Sequence, residues 1–198
     1  MNKSITFKIK LDYITPDIWR VFKVNETEDF FSFHQIVQIV MGWENAHLFE
    51  FNYQKRRIGL IPDEDELWEI DEEVEDSESI TLKELNLKAK DKLTYVYDFG
   101  DDWMHHLEVL EVTTEELDKP VCLNGGRSCP PEDCGGAPGY FHMLAVLRDP
   151  KSPEYAEIID WIGEDYDPEQ FDLEEINELL EEFEDWRDSM ESDELEDF

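Results

Sequence analysis

The chain has 198 residues, 40% of them hydrophobic and 13% aromatic, and its 52 Asp plus Glu against 17 Lys plus Arg give a formal net charge of −35. That length suits one domain with a real core, and the aromatic content excludes a disordered acidic chain. A field this negative repels polyanions, so nucleic-acid binding is disfavoured, and no apolar run approaches the roughly 20 residues of a membrane span.

Ile5, Phe7, Ile9 and Leu11 alternate with polar residues and predict a first strand rather than an export signal. A cytoplasmic setting follows as an expectation, with the three cysteines reduced rather than paired. Thr15, Pro16 and Asp17 predict a turn into a second strand over residues 18–24, with Ile18, Arg20, Phe22 and Val24 on one face. A helix follows, with Ser32 as N-cap, Gln35 completing a capping box, and Phe33, Ile36, Val37 and Val40 as its apolar stripe. Gly42 suits the left-handed position that ends it. Phe49, Phe51 and Tyr53 alternate as a third strand, with a partner over residues 57–61.

Residues 62–79 are densely acidic and read as a solvated excursion, tacked down by Leu67, Trp68 and Ile70. Thr81 and Glu84 form another capping box and predict a short helix. Residues 93–98 and 103–112 predict a hairpin across the turn Asp98-Phe-Gly-Asp-Asp102. Residues 120–139, rich in Gly, Pro and Cys, have no periodicity and predict an ordered, functional loop. Helices over residues 140–148, from Ser152 and Pro153 to Gly163, and from Asp172 onward complete the chain. The resulting fold class is α+β: a mainly antiparallel sheet packed against several helices in a single domain. Residues 1–189 form that domain, and residues 190–198 are an acidic, frayed tail.

Two segments concentrate chemistry. The loop carries Cys122, Cys129 and Cys134 beside Glu132 and Asp133. Thiolates favour zinc, so Cys122, Cys129 and Cys134 with His105 form one candidate metal set, although no close Cys pair is present. Three buried, reduced cysteines in a turned structural loop are the competing reading. The hairpin carries Asp98, Asp101, Asp102, Trp103 and His105, with Trp103 and His105 on one face of a strand. A His beside carboxylates can act as a base or a metal ligand, but Asp and Gly also simply make turns. His47 follows a helix end from which it could project into the same cleft. The hairpin and the Cys loop are therefore expected to form one surface with His47 nearby. A kinase is excluded, because Asp98-Phe-Gly100 lacks both a glycine-rich loop before it and a His-Arg-Asp loop anywhere.

The same residues carry a family resemblance. Ile18-Trp-Arg20, Gly42-Trp43 with His47-Leu48 and Phe51, Tyr95-x-Tyr-Asp-Phe-Gly-Asp-Asp-Trp-x-His105, and Cys129-Pro-Pro-Glu-Asp-Cys-Gly-Gly-x-x-Gly-Tyr140 resemble the Ri-plasmid open-reading-frame-three-like family. That family is also labelled an insertion-element passenger, TnpR-like. The resemblance extends through Asp149-Pro150, Trp161-x-Gly163 and Phe171-Asp172. It departs at Val21-Phe22, where relatives tend to carry a second arginine. It implies an α+β fold and travel with mobile elements, and it does not imply a recombinase.

Two functions compete on these grounds. The first is a non-catalytic binding or interaction domain for a protein or small-molecule ligand. The second is a metal-dependent enzyme, most plausibly a hydrolase, using Asp98, Asp101, His105 and the cysteines. An open coordination position on a bound metal favours the second.

Overall fold

The computed structural model describes residues 2–61, 74–115 and 117–196, the side chains from residue 185 onward excepted. Its frame is an eight-stranded sheet: β1 (Ser4–Leu11), β2 (Trp19–Asn25), β3 (Phe49–Tyr53), β4 (Arg56–Gly59), β5 (Val74–Asp76), β6 (Lys92–Tyr97), β7 (Trp103–Thr113) and β8 (Val121–Gly126). The spatial order is β5-β4-β3-β6-β7-β1-β2-β8, antiparallel throughout except where β5 runs parallel to β4. Four helices accompany it: α1 (Phe30–Met41), α2 (Gly136–Leu147), α3 (Tyr155–Ile162) and α4 (Leu173–Glu196). This is the α+β class expected, in a single domain. No helix among the described residues is long and apolar enough to cross a membrane.

The inward residues of β1, Ile5, Phe7, Ile9 and Leu11, are all buried, as strand alternation requires. They meet α1 through an aromatic cluster in which Phe33 lies 5.1 Å from Phe7 and 5.3 Å from Phe51, ring centre to ring centre. Each such ring contributes roughly 1.5–3 kcal/mol on burial, so this seam fixes the helix on the sheet.

Arg20 is also inward and buried, as the β2 pattern predicts for its face. Its guanidinium has no carboxylate partner among the described residues. It donates instead to Val40 O (2.7 Å) and Met41 O (3.2 Å), the orphan carbonyls at the end of α1, and to Trp19 O (2.8 Å) and Gly126 O (3.0 Å). A cation at the negative end of a helix needs no ligand to account for it.

Several local readings shift. The N-cap of α1 is Asp29, not Ser32: the Asp29 carboxylate accepts the Ser32 N–H at 2.6 Å, so the helix starts earlier. Gly42 ends it as expected, at φ 100° with its N–H on Gln38 O. The box at Thr81 and Glu84 is present and opens one short 3-10 turn, Leu82–Leu85. The acidic excursion contains β5, while the tacking residues Leu67, Trp68 and Ile70 lie outside the described residues. Part of the loop over residues 120–139 is strand β8. The N-cap of α4 is Asp172, which accepts the N–H groups of Glu174 and Glu175 at 3.0 Å each. The tail set apart from residue 190 falls in the last turns of α4 and beyond.

Candidate functional site

The site lies where three chain segments meet beside the β6–β7 turn. The first is the loop from α1 to β3, which brings His47. A chain of hydrogen bonds pins it. The Gln38 amide donates to the Tyr95 hydroxyl at 2.7 Å, which leaves that hydroxyl to donate to His34 Nδ1 at 2.8 Å. His34 Nε2–H then donates to Asn45 Oδ1 at 2.6 Å, and the Asn45 N–H returns to Gln38 Oε1 at 2.8 Å. Both ring nitrogens of His34 are thus used, as a neutral imidazole with one acceptor and one donor nitrogen allows.

The second segment is the hairpin turn. Asp98 sits at φ 55°, a left-handed conformation that Asp tolerates better than most residues. Its Oδ1 accepts the Gly100 N–H at 2.9 Å, and its own N–H reaches Leu48 O at 3.0 Å, zipping the turn to the His47 loop.

The third is the Cys loop, and its glycines have a steric reason. A Cβ on Gly136, at φ 65°, would stand 2.6 Å from Asp101 O, and one on Gly139 would stand 1.8 Å from Cys134 O. Only hydrogen fits in either place. The Gly135 N–H binds Asp101 Oδ2 at 3.0 Å, so the hairpin and the loop are joined directly. Farther back, Arg127 binds Pro16 O at 2.8 Å and Glu169, and Tyr166 donates to Cys129 O at 3.1 Å. The loop thereby presents Glu132 and Asp133, the latter at φ 56°.

These constraints surround one nitrogen. His47 Nε2 lies 3.2 Å from Asp133 Oδ1, 3.7 Å from Asp98 Oδ2 and 3.7 Å from Glu132 Oε2. His47 Nε2 and Glu132 Oε2 are both buried atoms with no hydrogen-bond partner among the described residues. The other Glu132 oxygen is fixed, accepting the Tyr97 hydroxyl at 2.9 Å and the Glu44 N–H at 2.8 Å. Burial first, and then Glu132, pushes the Tyr97 phenol above its ordinary pKa, so it stays a donor. The ligand atoms of His47, Asp98 and Asp133 all lie within 4.8 Å of one another, and no other such group of metal-capable side chains occurs among the described residues.

Of the residues expected at a site, His47, Asp98, Glu132 and Asp133 converge, and Asp101 ties their segments together. Asp102 makes the turn, at φ 54°. Trp103 is buried against Trp43, 5.4 Å between ring centres. The set Cys122, Cys129, Cys134 and His105 is not brought together as ligands. His105 has both ring nitrogens committed: Nε2 accepts Trp43 Nε1–H at 3.1 Å, and Nδ1–H faces Tyr95 O at 3.3 Å. Cys122 is on β8, its thiol against Val21 O and Asn124 O. Burial pushes the Cys129 thiol well up and the Cys134 thiol up to about 12, which disfavours thiolates. Tyr97 and Glu44 were missed as site residues. Tyr97 is visible inside the Tyr95-x-Tyr-Asp string, but there it reads as a strand-filling aromatic.

The family model for plasmid pRiA4b ORF-3-like proteins matches residues 3–175, which include all of these side chains. The chain belongs to that family. A protein of Sinorhizobium fredii, "Uncharacterized protein y4hQ", is 32% identical over 179 residues, 89% of this chain and 90% of the relative. A solved structure, the "Protein of Unknown Function MM3350" of Methanosarcina mazei Go1, is 33% identical with a TM-score of 0.75 and covers 87% of this chain and 97% of its own.

Proposed function

We propose that this pRiA4b ORF-3-like chain is a metal-binding domain, with a divalent ion held by His47 Nε2, Asp98 and Asp133. The observation that carries this is the His47 nitrogen: buried, without a hydrogen-bond partner, and ringed by carboxylates at 3.2–3.7 Å. The side chains are close to one another without aiming at one another, as donors around a common centre do. A tetrahedral ion with bonds of about 2.0–2.2 Å sets its donors about 3.3–3.6 Å apart, close to the spacing found. One imidazole with carboxylates suits zinc, manganese or iron(II) better than a thiolate-selective ion, so zinc remains the first choice on different ligands from the cysteines. Two of the three donors, Asp98 and Asp133, stand in left-handed backbone, and such conformations cluster at functional sites. Nucleic acid stays disfavoured as a partner by the net charge of −35.

The test is calorimetric titration of zinc into untagged, chelator-stripped protein, with excess magnesium present to mask the acidic surface. One site is expected, and His47→Ala should weaken it by more than about 100-fold, since even outer-shell changes cost 10–100-fold. Equal binding by wild type and His47→Ala overturns the assignment.

A further inference from the structure

We propose that Glu132 is the general base of a hydrolytic centre acting on uncharged carboxylic esters or amides; this rests on the metal reading above. Glu132 stands beside the three-donor group rather than in it. Its Oε2 is 3.7 Å from His47 Nε2, yet only His47, Asp98 and Asp133 form the group whose donor atoms all fall within 4.8 Å. Three protein donors leave the fourth position of a tetrahedral ion to water, the pattern of catalytic rather than structural centres.

The side chain is set for that task. Oε1 is clamped by the Tyr97 hydroxyl and the Glu44 N–H, so the carboxylate cannot rotate away. Oε2 is left buried, without a donor, on the His47 side. The charge count supplies the need for a base. Two Asp carboxylates neutralise a dication, so its water is less acidic than on an all-imidazole site and a neighbouring carboxylate must take the proton.

The surroundings select the substrate. Glu44, Asp98, Asp101, Glu132 and Asp133 crowd this end of a chain carrying −35, which repels phosphate esters. The Asp133 side chain is 75% exposed, so the centre opens to solvent. Leu48 and Phe99, each 56% exposed, directly follow His47 and Asp98 in the chain and offer an apolar rim.

In the reaction, a water beside His47, Asp98 and Asp133, which would hold the ion that acidifies it, gives one proton to Glu132 Oε2 while its oxygen bonds to the carbonyl carbon and the π pair moves onto the carbonyl oxygen. That pair then re-forms the double bond, the bond to the leaving alkoxide or amine breaks, and the leaving group takes the proton from Glu132. The products are a carboxylic acid and an alcohol or amine.

The experiment uses the full chain loaded with zinc, with p-nitrophenyl butyrate and bis(p-nitrophenyl) phosphate as probes. Zinc-dependent ester turnover is expected. Glu132→Gln, whose amide oxygen can keep both bonds to Tyr97 and Glu44, should lower it by about 10²–10⁴-fold. Its zinc affinity should stay within about threefold, well inside the cost of a lost ligand. Zinc bound without turnover above the level of His47→Ala overturns the proposal while leaving the metal site standing. So does unchanged turnover in Glu132→Gln, or a loss of zinc affinity beyond about 100-fold, which makes Glu132 a fourth ligand of a closed site. Faster cleavage of the phosphodiester overturns the substrate class, and absence of zinc binding overturns both readings.

Discussion

Tyr97 uses its hydroxyl twice, donating to Glu132 Oε1 at 2.9 Å and accepting the Ala46 N–H at 2.8 Å. One atom at the end of β6 thus ties the Cys loop to the loop that carries His47. The ring beneath it is fully buried, so the hydroxyl's position is set by the core rather than by the loops it joins. Tyr97→Phe keeps that packing and removes the tie. Stability should fall by about 1 kcal/mol, the net worth of a typical hydrogen bond, because Ala46 is exposed and water can take over its N–H. Zinc affinity should fall about tenfold, as for other outer-shell losses. Urea unfolding and calorimetry on the one variant measure both; a change in stability with unchanged zinc affinity would show that the tyrosine serves the fold alone.

Two buried imidazoles make stability depend on pH in a definite direction. Burial pushes His34 and His105 down to about 4 from 6.5. Their folded pKa values are depressed, so between pH 6.5 and 4 the unfolded chain binds protons that the folded chain refuses. The stabilisation is complete above about pH 6.5 and declines as pH falls toward 4, by roughly 3 kcal/mol for each ring. Relief of repulsion among the surface carboxylates opposes this, so the clean measurement is local. NMR of the ring carbons should show His34 and His105 still neutral at pH 5. Titration of His34 near 6.5 in the folded protein would contradict the hydrogen-bond circuit through Tyr95, and titration of His105 there would contradict its burial against Trp43.

How much could be read in the sequence depended on whether the signal was local. Phe33, Ile36, Val37 and Val40 announce α1 because helical period and burial coincide, and all four are fully buried. The strands with alternating apolar residues were legible for the same reason. Strand β8 was not. Its Cys122, Asn124, Gly125 and Gly126 show no alternation, and its partner β2 lies about a hundred residues earlier. What holds it is backbone pairing plus the Asn177 amide, which binds the Cys122 N–H at 2.9 Å and C=O at 3.0 Å as another strand would.

The site divides likewise. His47, Asp98, Glu132 and Asp133 were visible as polar residues in turn-rich segments, where side chains are free to converge. His105 was visible too, and strand alternation put it on the Trp103 face. Alternation says which face a residue takes but not what waits there, and Trp43 waits for His105. The cysteines suggested a metal by composition, whereas burial keeps them as thiols.

The Cys loop takes its shape around the missing side chain of Gly139. The Gly139 N–H closes the first turn of α2 onto Gly135 O at 3.2 Å, which presses its α-carbon against the loop. An added methyl carbon would sit 1.8 Å from Cys134 O. That oxygen is backbone and cannot swing aside as a side-chain tip would. Either the first turn of α2 or residues 132–135 must move by more than about 1 Å to restore ordinary contact distance. Tyr140 and Met143 bury the helix in the core, so the loop is the softer side. Gly139→Ala should therefore cost at least about 2 kcal/mol of stability, the scale of other enforced overpacking. It should also displace Glu132 and Asp133 from His47, weakening zinc by about 100-fold, because a 1 Å error in a placed group is of that consequence. Urea unfolding and zinc calorimetry of folded Gly139→Ala protein decide it. A variant with wild-type stability and wild-type zinc affinity would mean that the loop has room the structure does not give it.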